Sequence, residues 1–362
     1  MTGANILLVA HTRLSLGYVL DHYWLLSQDP ALQFTLTRAP DEYSAGVEET
    51  MDATGLPRLP YCAAVRRPWD LALFGTHGSE IYFTQAAARV HIQHGMGAGK
   101  IVDGQDYTYG PKWALWDGKP KYDMMLEASH AVRRRAVAAC PPLASRITVT
   151  GDMRADRLLD ADRNRAAHRA ALGIAPGEQA ILICSTFGPH GLLSRYGLEP
   201  ADQLLTIPGT RVLLTLHPHL WTGRHDHRAR LTAALAPRAA RGLITCGPDQ
   251  DWAPFLAAAD IAVIDHGSIG LYYALLARPT LAVPVPGSAV NPAAPIAMLR
   301  ALSPTVTGPA GLTAAVTAAA ERFDPGTGAP LRRDLLAYRG HAGQHTKAAL
   351  YELLARPMPG RR

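Results

Sequence analysis

The sequence has no apolar run long enough to cross a lipid bilayer, and its longest candidates, such as residues 261–264, have the length of a buried strand. It also has little cysteine, and no pair of its four cysteines has the spacing of a metal site. The first predicted strand begins at about Asn5 without a basic leader, so we expect no signal peptide. These absences predict a cytoplasmic protein with reduced thiols and at most peripheral membrane contact.

Lysine is scarce as well, although the chain is basic overall. The net charge is +6 and comes mainly from arginine, which favours acidic partners such as nucleotides. No basic stripe interleaved with aromatic residues is present, so we expect no nucleic-acid partner. Four of the five lysines lie within residues 100–121. This cluster is either a solvated loop or a loop that faces an anion, and the sequence leaves both interpretations open.

The composition that is present, 48% hydrophobic and 18% charged over 362 residues, is typical of two soluble globular domains. Short apolar runs alternate with amphipathic segments through the first half, and a second series of the same kind follows a helical junction near residues 155–175. This alternation predicts an α/β protein with parallel sheets. We expect two Rossmann-like lobes that face each other across a cleft, at residues 1–160 and 161–335, and a helical tail at 336–362 that packs back on the first lobe.

A glycine-rich segment follows a predicted strand of the first lobe and reads Gln93-His94-Gly95-Met96-Gly97-Ala98-Gly99-Lys100. Glycines allow backbone N–H groups to approach a phosphate closely, and a lysine supplies a point charge. The spacing is neither that of a Walker A loop nor that of a dinucleotide fingerprint. His94 is either a general base that works near neutral pH or a histidine that bonds backbone at a strand end.

Two further clusters follow strands of the second lobe. The segment Asp265-His266-Gly267-Ser268-Ile269 precedes an apolar helix, which predicts a phosphate site at the first helical turn or an ordinary Ser268 cap. His217-Pro218-His219 ends another strand, where imidazole N–H groups can bind a phosphoryl oxygen. Since Asp226 is the one carboxylate near these histidines and no cysteine is close, we expect no metal site and no cofactor.

Taken in order, these clusters resemble the CDP-glycerol glycerophosphotransferase family, bacterial enzymes of teichoic acid and capsule synthesis with a GT-B architecture. The matching segments are Gln93-His94-Gly95 with Lys100, Ala128-Ser129-His130, Thr150-Gly151-Asp152-Met153-Arg154-Ala155-Asp156, Ser185-Thr186-Phe187, Leu216-His217-Pro218 and the stretch from Ala259 to Ile269. The match runs from about residue 88 to 285.

The resemblance implies a transferase that moves an alditol phosphate group from a CDP-linked donor to an acceptor hydroxyl and releases CMP. His94 would be the general base, and Thr186, His217 and Ser268 would hold the donor phosphates. The donor-binding residues expected from the resemblance and the clusters together are Thr186, Phe187, His217, His219, Asp265, Gly267, Ser268 and Ile269. The residues expected on the acceptor or phosphate side are Gly95, Gly97, Lys100 and Arg154.

Three positions depart from the family pattern, with Gln93 in place of an aromatic residue, His266 in place of Tyr and Gly267 in place of Ser. We also expect no long amino-terminal membrane-targeting part of the kind that many polymerases of this family carry. Together these departures favour a soluble single-addition enzyme over a polymerase. They also leave two alternatives open. One is a nucleotide-sugar glycosyltransferase or non-hydrolysing epimerase with a UDP-linked donor on the same fold. The other is a binding protein that has kept the fold without catalysis.

Overall fold

The computed structural model describes residues 3–78, 80–97, 99–222 and 227–355, and the chain divides into two compact units. Unit 1 comprises residues 1–96, 103–153 and 336–362, and unit 2 comprises residues 97–102 and 154–335. The division after Met153 falls at the start of a helix, whereas the sequence-based boundary at residue 160 lies inside that helix. The short segment 97–102, which we had assigned to the first lobe, belongs to unit 2.

The strands of the described residues agree closely with the apolar runs of the sequence. In chain order they are β1 (Ala4–Ala10), β2 (Leu32–Arg38), β3 (Trp69–Phe74), β4 (Ala86–Ile92), β5 (Ile101–Val102), β6 (Gln105–Asp106), β7 (Leu115–Trp116), β8 (Lys119–Pro120), β9 (Met124–Glu127), β10 (Ile147–Val149), β11 (Gln179–Ser185), β12 (Thr210–Leu216), β13 (Leu243–Cys246), β14 (Ile261–Ile264) and β15 (Thr280–Ala282).

The α-helices alternate with these strands. They are α1 (Arg13–Leu26), α2 (Val47–Asp52), α3 (Tyr61–Ala64), α4 (Pro111–Ala114), α5 (His130–Ala139), α6 (Met153–Arg163), α7 (Arg165–Ala171), α8 (Leu192–Tyr196), α9 (Glu199–Leu204), α10 (His227–Ala239), α11 (Ala253–Ala258), α12 (Ile269–Ala274), α13 (Pro295–Leu302), α14 (Leu312–Arg322), α15 (Ala329–Leu335) and α16 (Ala342–Ala355). None of the helices in the described ranges is long and apolar enough to traverse a bilayer.

Unit 1 is built on a six-stranded parallel sheet in the order β10-β9-β4-β3-β1-β2. Alternate residues of β1 enter two different cores, with Ile6 and Leu8 on one face and Leu7 and Val9 on the other. This burial on both faces explains why β1 is a continuous apolar run. The chain leaves β1 for β2 on one side and returns to β3 on the other, so the topological switch point lies between β1 and β3.

Unit 2 is built on a five-stranded parallel sheet in the order β13-β12-β11-β14-β15. The central strands β11 and β14 pair from Ile181 with Ile261 to Cys184 with Ile264. The order is that of a Rossmann half, and its switch point lies between β11 and β14. The predicted α/β class with two Rossmann-like lobes is confirmed.

The carboxyl-terminal segment, from Leu336 onward, belongs to unit 1 although the whole of unit 2 precedes it. The buried residues Ala349, Leu350 and Leu353 of α16 share a core with β1 and α1. Burial of apolar surface of this kind stabilises the folded state by about 25 cal/mol for each Å² removed from water. The helix is therefore an integral part of unit 1.

Glu127, the last residue of β9, is fully buried in unit 1. Burial raises the pKa of its carboxyl to about 8, although the Tyr109 hydroxyl and the Arg135 guanidinium act in the opposite direction. The pKa of Glu127 in the folded protein lies above that of a glutamate in the unfolded chain. The folded state therefore binds this proton more tightly, and protonation of Glu127 stabilises the fold at low pH. That contribution is lost as the pH rises towards 8.

We therefore expect the free energy of unfolding of the wild type to fall, relative to that of Glu127→Gln, by a few kcal/mol between about pH 5 and 8. Denaturant unfolding at several pH values measures this difference. Glu321→Gln, on an exposed position of α14, serves as the control and should follow the wild type. If the free energies of unfolding of the wild type and Glu127→Gln changed in parallel with pH, the raised pKa of Glu127 would be contradicted.

Candidate functional site

The switch point of unit 2 brings together two of the predicted segments. Thr186 and Phe187 follow β11 directly, and Asp265-His266-Gly267-Ser268 follow β14, its neighbour in the sheet. Ligands of open α/β sheets bind at the carboxyl ends of the strands that flank such a point. The topology therefore supports a ligand site at this edge of unit 2.

Asp265 holds the two segments in place. Its Oδ2 accepts hydrogen bonds from the backbone N–H groups of Thr186 at 2.8 Å and Leu192 at 2.9 Å. Its Oδ1 accepts one from the N–H of Gly267 at 2.8 Å, and the residue is only 1% exposed. We had grouped Asp265 with the donor-binding residues. A buried carboxylate that accepts three backbone N–H groups positions the loops instead of contacting an anion itself.

Removal of this carboxylate should have a large effect on stability. We expect Asp265→Ala to lower the free energy of unfolding by about 3 kcal/mol or more, because it leaves three partly or fully buried N–H groups without their acceptor. Asp324→Ala is the matched control, since Asp324 accepts the N–H of Gly326 in an exposed loop. Similar losses for the two variants in denaturant unfolding would show that Asp265 has no special positioning role.

Three aromatic side chains lie together beside this switch point. The Phe187 ring lies 4.6 Å from the His217 ring and 4.7 Å from the His219 ring, and the two imidazoles are 4.6 Å apart. Nδ1 of His217 accepts the backbone N–H of His219 at 3.2 Å. In the neutral imidazole the proton is therefore on Nε2, which makes Nε2 a hydrogen-bond donor. Phe187, which follows β11, thus forms one cluster with His217 and His219, which follow β12. We call these three residues the ring cluster.

Lys100 joins this ring cluster, and its place corrects our division of the glycine-rich segment. Its Nζ lies 4.6 Å from the centre of the Phe187 ring, a cation–π contact within unit 2. Lys100 is bridged to Val290, and the carbonyl of Gly99 accepts the N–H of Asn291 at 2.7 Å. Partial burial lowers the pKa of the Lys100 ammonium. Lys100, which we had grouped on the acceptor or phosphate side, therefore lies beside the predicted donor-binding residue Phe187.

The absence of a side chain at Gly99 allows residues 97–102 to lie close to the rest of unit 2. A Cβ atom at this position would lie 2.7 Å from Cβ of Ala294 and 2.8 Å from Cγ2 of Ile296, both closer than real contacts allow. Gly97 belongs to the same unit, whereas Gly95 belongs to unit 1. Ala98, between Gly97 and Gly99, lies outside the described residues. The predicted phosphate loop is therefore divided between the two units.

Ser268 occupies the N-cap position of α12, but its side chain makes no capping hydrogen bond. The ordinary cap that the sequence left open is therefore not what the structure shows. The side chains of Ser268 and Ile269 are half-buried at the start of this six-residue helix. At Gly267, a Cβ atom would lie 3.1 Å from Cβ of Thr186. A Cβ contact this tight would require Thr186 to shift slightly, which favours glycine where the family that the sequence resembles has serine.

His266 belongs to the segment that we predicted as a phosphate site, but we had not assigned it a role there. Its Nδ1 is buried without a hydrogen-bond partner. Burial lowers the pKa of the imidazole, Asp265 raises it, and Arg300, His190 and Lys100 lower it further. The edge of unit 2 thus carries an excess of basic groups, which favours an anionic ligand.

In unit 1 the predicted general base His94 lies near the other switch point. It follows β4, and its Nδ1 donates to the backbone carbonyl of Gly75, just after β3, at 2.9 Å. The proton on Nδ1 leaves Nε2 as the lone-pair nitrogen of the neutral imidazole. This is the tautomer that a general base requires.

Gly75 and Tyr18, which the sequence did not single out, position His94 and the residue that follows it. At Gly75, a Cβ atom would lie 2.5 Å from the carbonyl oxygen of Ser15, so glycine is needed for β3 to end beside the start of α1. The Tyr18 hydroxyl accepts the N–H of Gly95 at 3.0 Å, and its ring lies 6.1 Å from that of His94. A glycine after a strand and a tyrosine in the first turns of a helix gave no distinctive signal.

Neither site includes a metal cluster in the part of the chain that the structure describes. Asp226, which we considered beside His217 and His219, lies outside that part. Arg154 is the second residue of α6 and half-buried, and its assignment to the phosphate side stays a prediction. The edge of unit 1 offers an imidazole whose neutral form has its lone pair on Nε2, and the edge of unit 2 offers basic and N–H groups.

Comparison with solved structures identifies the fold. A variant of the wall teichoic acid polymerase TagF matches with a TM-score of 0.66 at 11% sequence identity, over 98% of this chain and 89% of that chain. UDP-GlcNAc 2-epimerase from Neisseria meningitidis bound to UDP-GlcNAc matches with a TM-score of 0.56 at 12% identity, over 96% and 100%. The chain has the GT-B fold. The family resemblance found in the sequence is thus confirmed at the level of the fold.

Two further structures of this fold class were solved with nucleotide compounds. TagF soaked with CDPG matches with a TM-score of 0.62 at 11% identity, over 97% of this chain and 88% of that chain. HepE from Anabaena in complex with UDP-glucose matches with a TM-score of 0.50 at 13% identity, over 96% and 100%. By sequence, no protein-family model and no curated protein matches the chain.

Proposed function

We propose that the protein is a transferase that moves an alditol phosphate group, of the glycerophosphoryl type, from a CDP-linked donor to an acceptor hydroxyl. In this proposal unit 2 binds the donor through Thr186, the ring cluster, Lys100 and Ser268. His94 of unit 1 accepts the proton of the acceptor hydroxyl.

The reaction that these groups support is a displacement at the outer phosphorus of the donor. The acceptor oxygen forms a bond to this phosphorus, and the bond from phosphorus to the bridging oxygen breaks, so that CMP leaves. The hydroxyl proton passes to Nε2 of His94. Most of the catalytic demand in phosphoryl transfer is stabilisation of charge on the phosphoryl oxygens. Lys100 and Nε2–H of His217 supply that stabilisation.

The observation that carries the proposal is the tautomer of His94. An N–H···O bond from Nδ1 to the Gly75 carbonyl orients the ring and reserves Nε2 for a proton. The proposal also requires an anion site at a switch point, and the basic groups at the edge of unit 2 support such a site. The fold shared with TagF, which was soaked with CDPG, is consistent with both.

A nucleotide-sugar glycosyltransferase or epimerase is the second candidate. It is favoured by the likeness to HepE with UDP-glucose and to an epimerase bound to UDP-GlcNAc. The same residues of unit 2 would bind the two phosphates of a UDP-sugar. In a glycosyltransferase the bond that breaks would then be carbon–oxygen, and the released nucleotide would be UDP. A non-hydrolysing epimerase would instead convert the UDP-sugar to its epimer with no net release of UDP.

Product analysis separates the two candidates. The protein is incubated with CDP-glycerol or with UDP-glucose, in the presence of a mixture of hydroxyl acceptors, and the released nucleotides are quantified. The proposal predicts CMP from CDP-glycerol, strongly reduced in His94→Ala. Release of UDP without release of CMP would favour the second candidate, and release of neither nucleotide would contradict a transferase.

A further inference from the structure

An exposed group of stacked rings lies at the carboxyl edge of the unit 1 sheet. The Tyr338 ring stacks on the His345 ring at a centroid distance of 3.7 Å and an angle of 19°. The His130 ring meets the Tyr338 ring at 6.1 Å and 69°. All three residues are exposed. We call His130, Tyr338 and His345 the edge rings.

The turn that carries Tyr338 is firmly anchored. The N–H of Ala337 donates to the carbonyl of Ala128, just after β9, at 2.9 Å, and the N–H of His341 donates to the carbonyl of Tyr338 at 2.8 Å. Gly151, after β10, approaches the same turn so closely that a Cβ atom would lie 2.8 Å from the Ala337 carbonyl oxygen. The edge rings are therefore held in a fixed position by the ends of β9 and β10.

Tyr338 is also in a backbone conformation that a tyrosine normally avoids. Four non-glycine residues among those described have a positive φ, and Tyr338, at +50°, is the one with a large side chain. Such a conformation costs energy and is concentrated at binding and active sites. The ring lies at the surface with 39% exposure, so core packing does not explain why tyrosine is needed.

The edge rings and His94 lie after neighbouring strands of the unit 1 sheet. Strands β4 and β9 are paired neighbours, from Val90 with Met124 to Ile92 with Leu126. His94 follows β4, His130 follows β9, and the Tyr338 turn contacts the ends of β9 and β10. Because adjacent strands are about 5 Å apart, the ends of β9 and β10 lie roughly 5 and 10 Å along the edge from the end of β4.

We propose that the edge rings bind a sugar ring of the acceptor while its reacting hydroxyl lies at His94. This inference rests on the proposed function, which assigns the acceptor to unit 1. A sugar ring presents a face of C–H groups that packs on aromatic rings, and its hydroxyls can bond to imidazole nitrogen and phenol oxygen. A flexible alditol chain has no such face. The exposed Arg339 and His341 beside Tyr338 add polar groups that suit a carbohydrate more than a purely apolar ligand.

The test measures binding of simple sugars to the intact protein. Saturation-transfer NMR is recorded with methyl glucoside and methyl N-acetylglucosaminide, and with glycerol as the compound that has no ring. We expect the glycosides to bind and glycerol to give a much weaker signal. In Tyr338→Gly the affinity for the glycosides should fall by about tenfold or more, the usual effect of losing an aromatic anchor.

Two controls make the result decisive. Tyr338→Gly relieves the positive φ, so the melting temperature should be retained. Trp24→Ala removes another exposed aromatic side chain, 62% exposed and near the end of α1, and should leave glycoside binding unchanged. Binding of CDP-glycerol is measured on the same samples to report on unit 2.

If the glycosides fail to bind, bind equally to Tyr338→Gly, or bind no better than glycerol, the inference is wrong. Should CDP-glycerol still bind in that case, the proposed function is unaffected and only the acceptor class is overturned. Loss of CDP-glycerol and UDP-glucose binding in the wild type would instead overturn the proposed function and, with it, the role of the edge rings.

Discussion

His94→Ala should lower turnover by about two to four orders of magnitude, the usual contribution of a positioned general base. The reason is the loss of the lone pair at Nε2, which the bond from Nδ1 to the Gly75 carbonyl reserves for the acceptor proton. The affinity for the donor should hardly change, because the donor-binding residues lie in unit 2. Turnover of the wild type should rise with pH over the range in which histidine side chains lose their proton, about 6 to 7.

The measurement combines turnover, its pH profile and donor affinity by calorimetry. The profile of His94→Ala should lack the rise that we assign to the base. His168→Ala, on α7 of unit 2, is the control and should behave as the wild type. Near-normal turnover in His94→Ala, or loss of donor binding with it, would show that His94 is not the base.

Lys100→Met should weaken donor binding by about tenfold to a hundredfold, the effect expected when a hydrogen bond to a charged group is lost. Methionine retains much of the aliphatic stem of Lys100 but removes the ammonium that lies over the Phe187 ring. The Michaelis constant of the acceptor should change less than that of the donor, because Lys100 belongs to unit 2.

Lys112→Met is the matched control for Lys100→Met. Lys112 forms an ion pair with Asp103 in unit 1, and both side chains are about half exposed or more. We expect donor affinity to be unchanged in this variant. An effect of Lys100→Met that is confined to the acceptor would place Lys100 on the acceptor side, one of the two assignments that the sequence left open.

The alternation of apolar runs and helices predicted most of the sheet strands because parallel strands buried on both faces leave a strong pattern. Strand β14 has the bounds of the apolar run at residues 261–264, and β1 begins at Ala4, one residue before its predicted start. The short strands β5–β8 were missed. They are two residues each and carry no periodic signal.

The sequence could also predict which segments lie at strand ends, but not which side chains meet there. The roles of Asp265 and Lys100 are decided by contacts between distant segments. Asp265 bonds to Thr186, 79 residues away, and Lys100 leaves the glycine-rich segment to lie on Phe187. Nothing in the local pattern distinguishes a carboxylate that binds backbone from one that faces a ligand. The edge rings depend in the same way on a turn more than two hundred residues after His94.

Hydrogen–deuterium exchange with CDP-glycerol bound shows directly whether the switch point of unit 2 binds a nucleotide-linked donor. We expect slower exchange of backbone amides at residues 99–102, 186–192, 217–220 and 265–271, with no comparable change around β2. UDP-glucose is tested in parallel. Protection confined to other parts of the chain, or no protection with either nucleotide, would contradict the account.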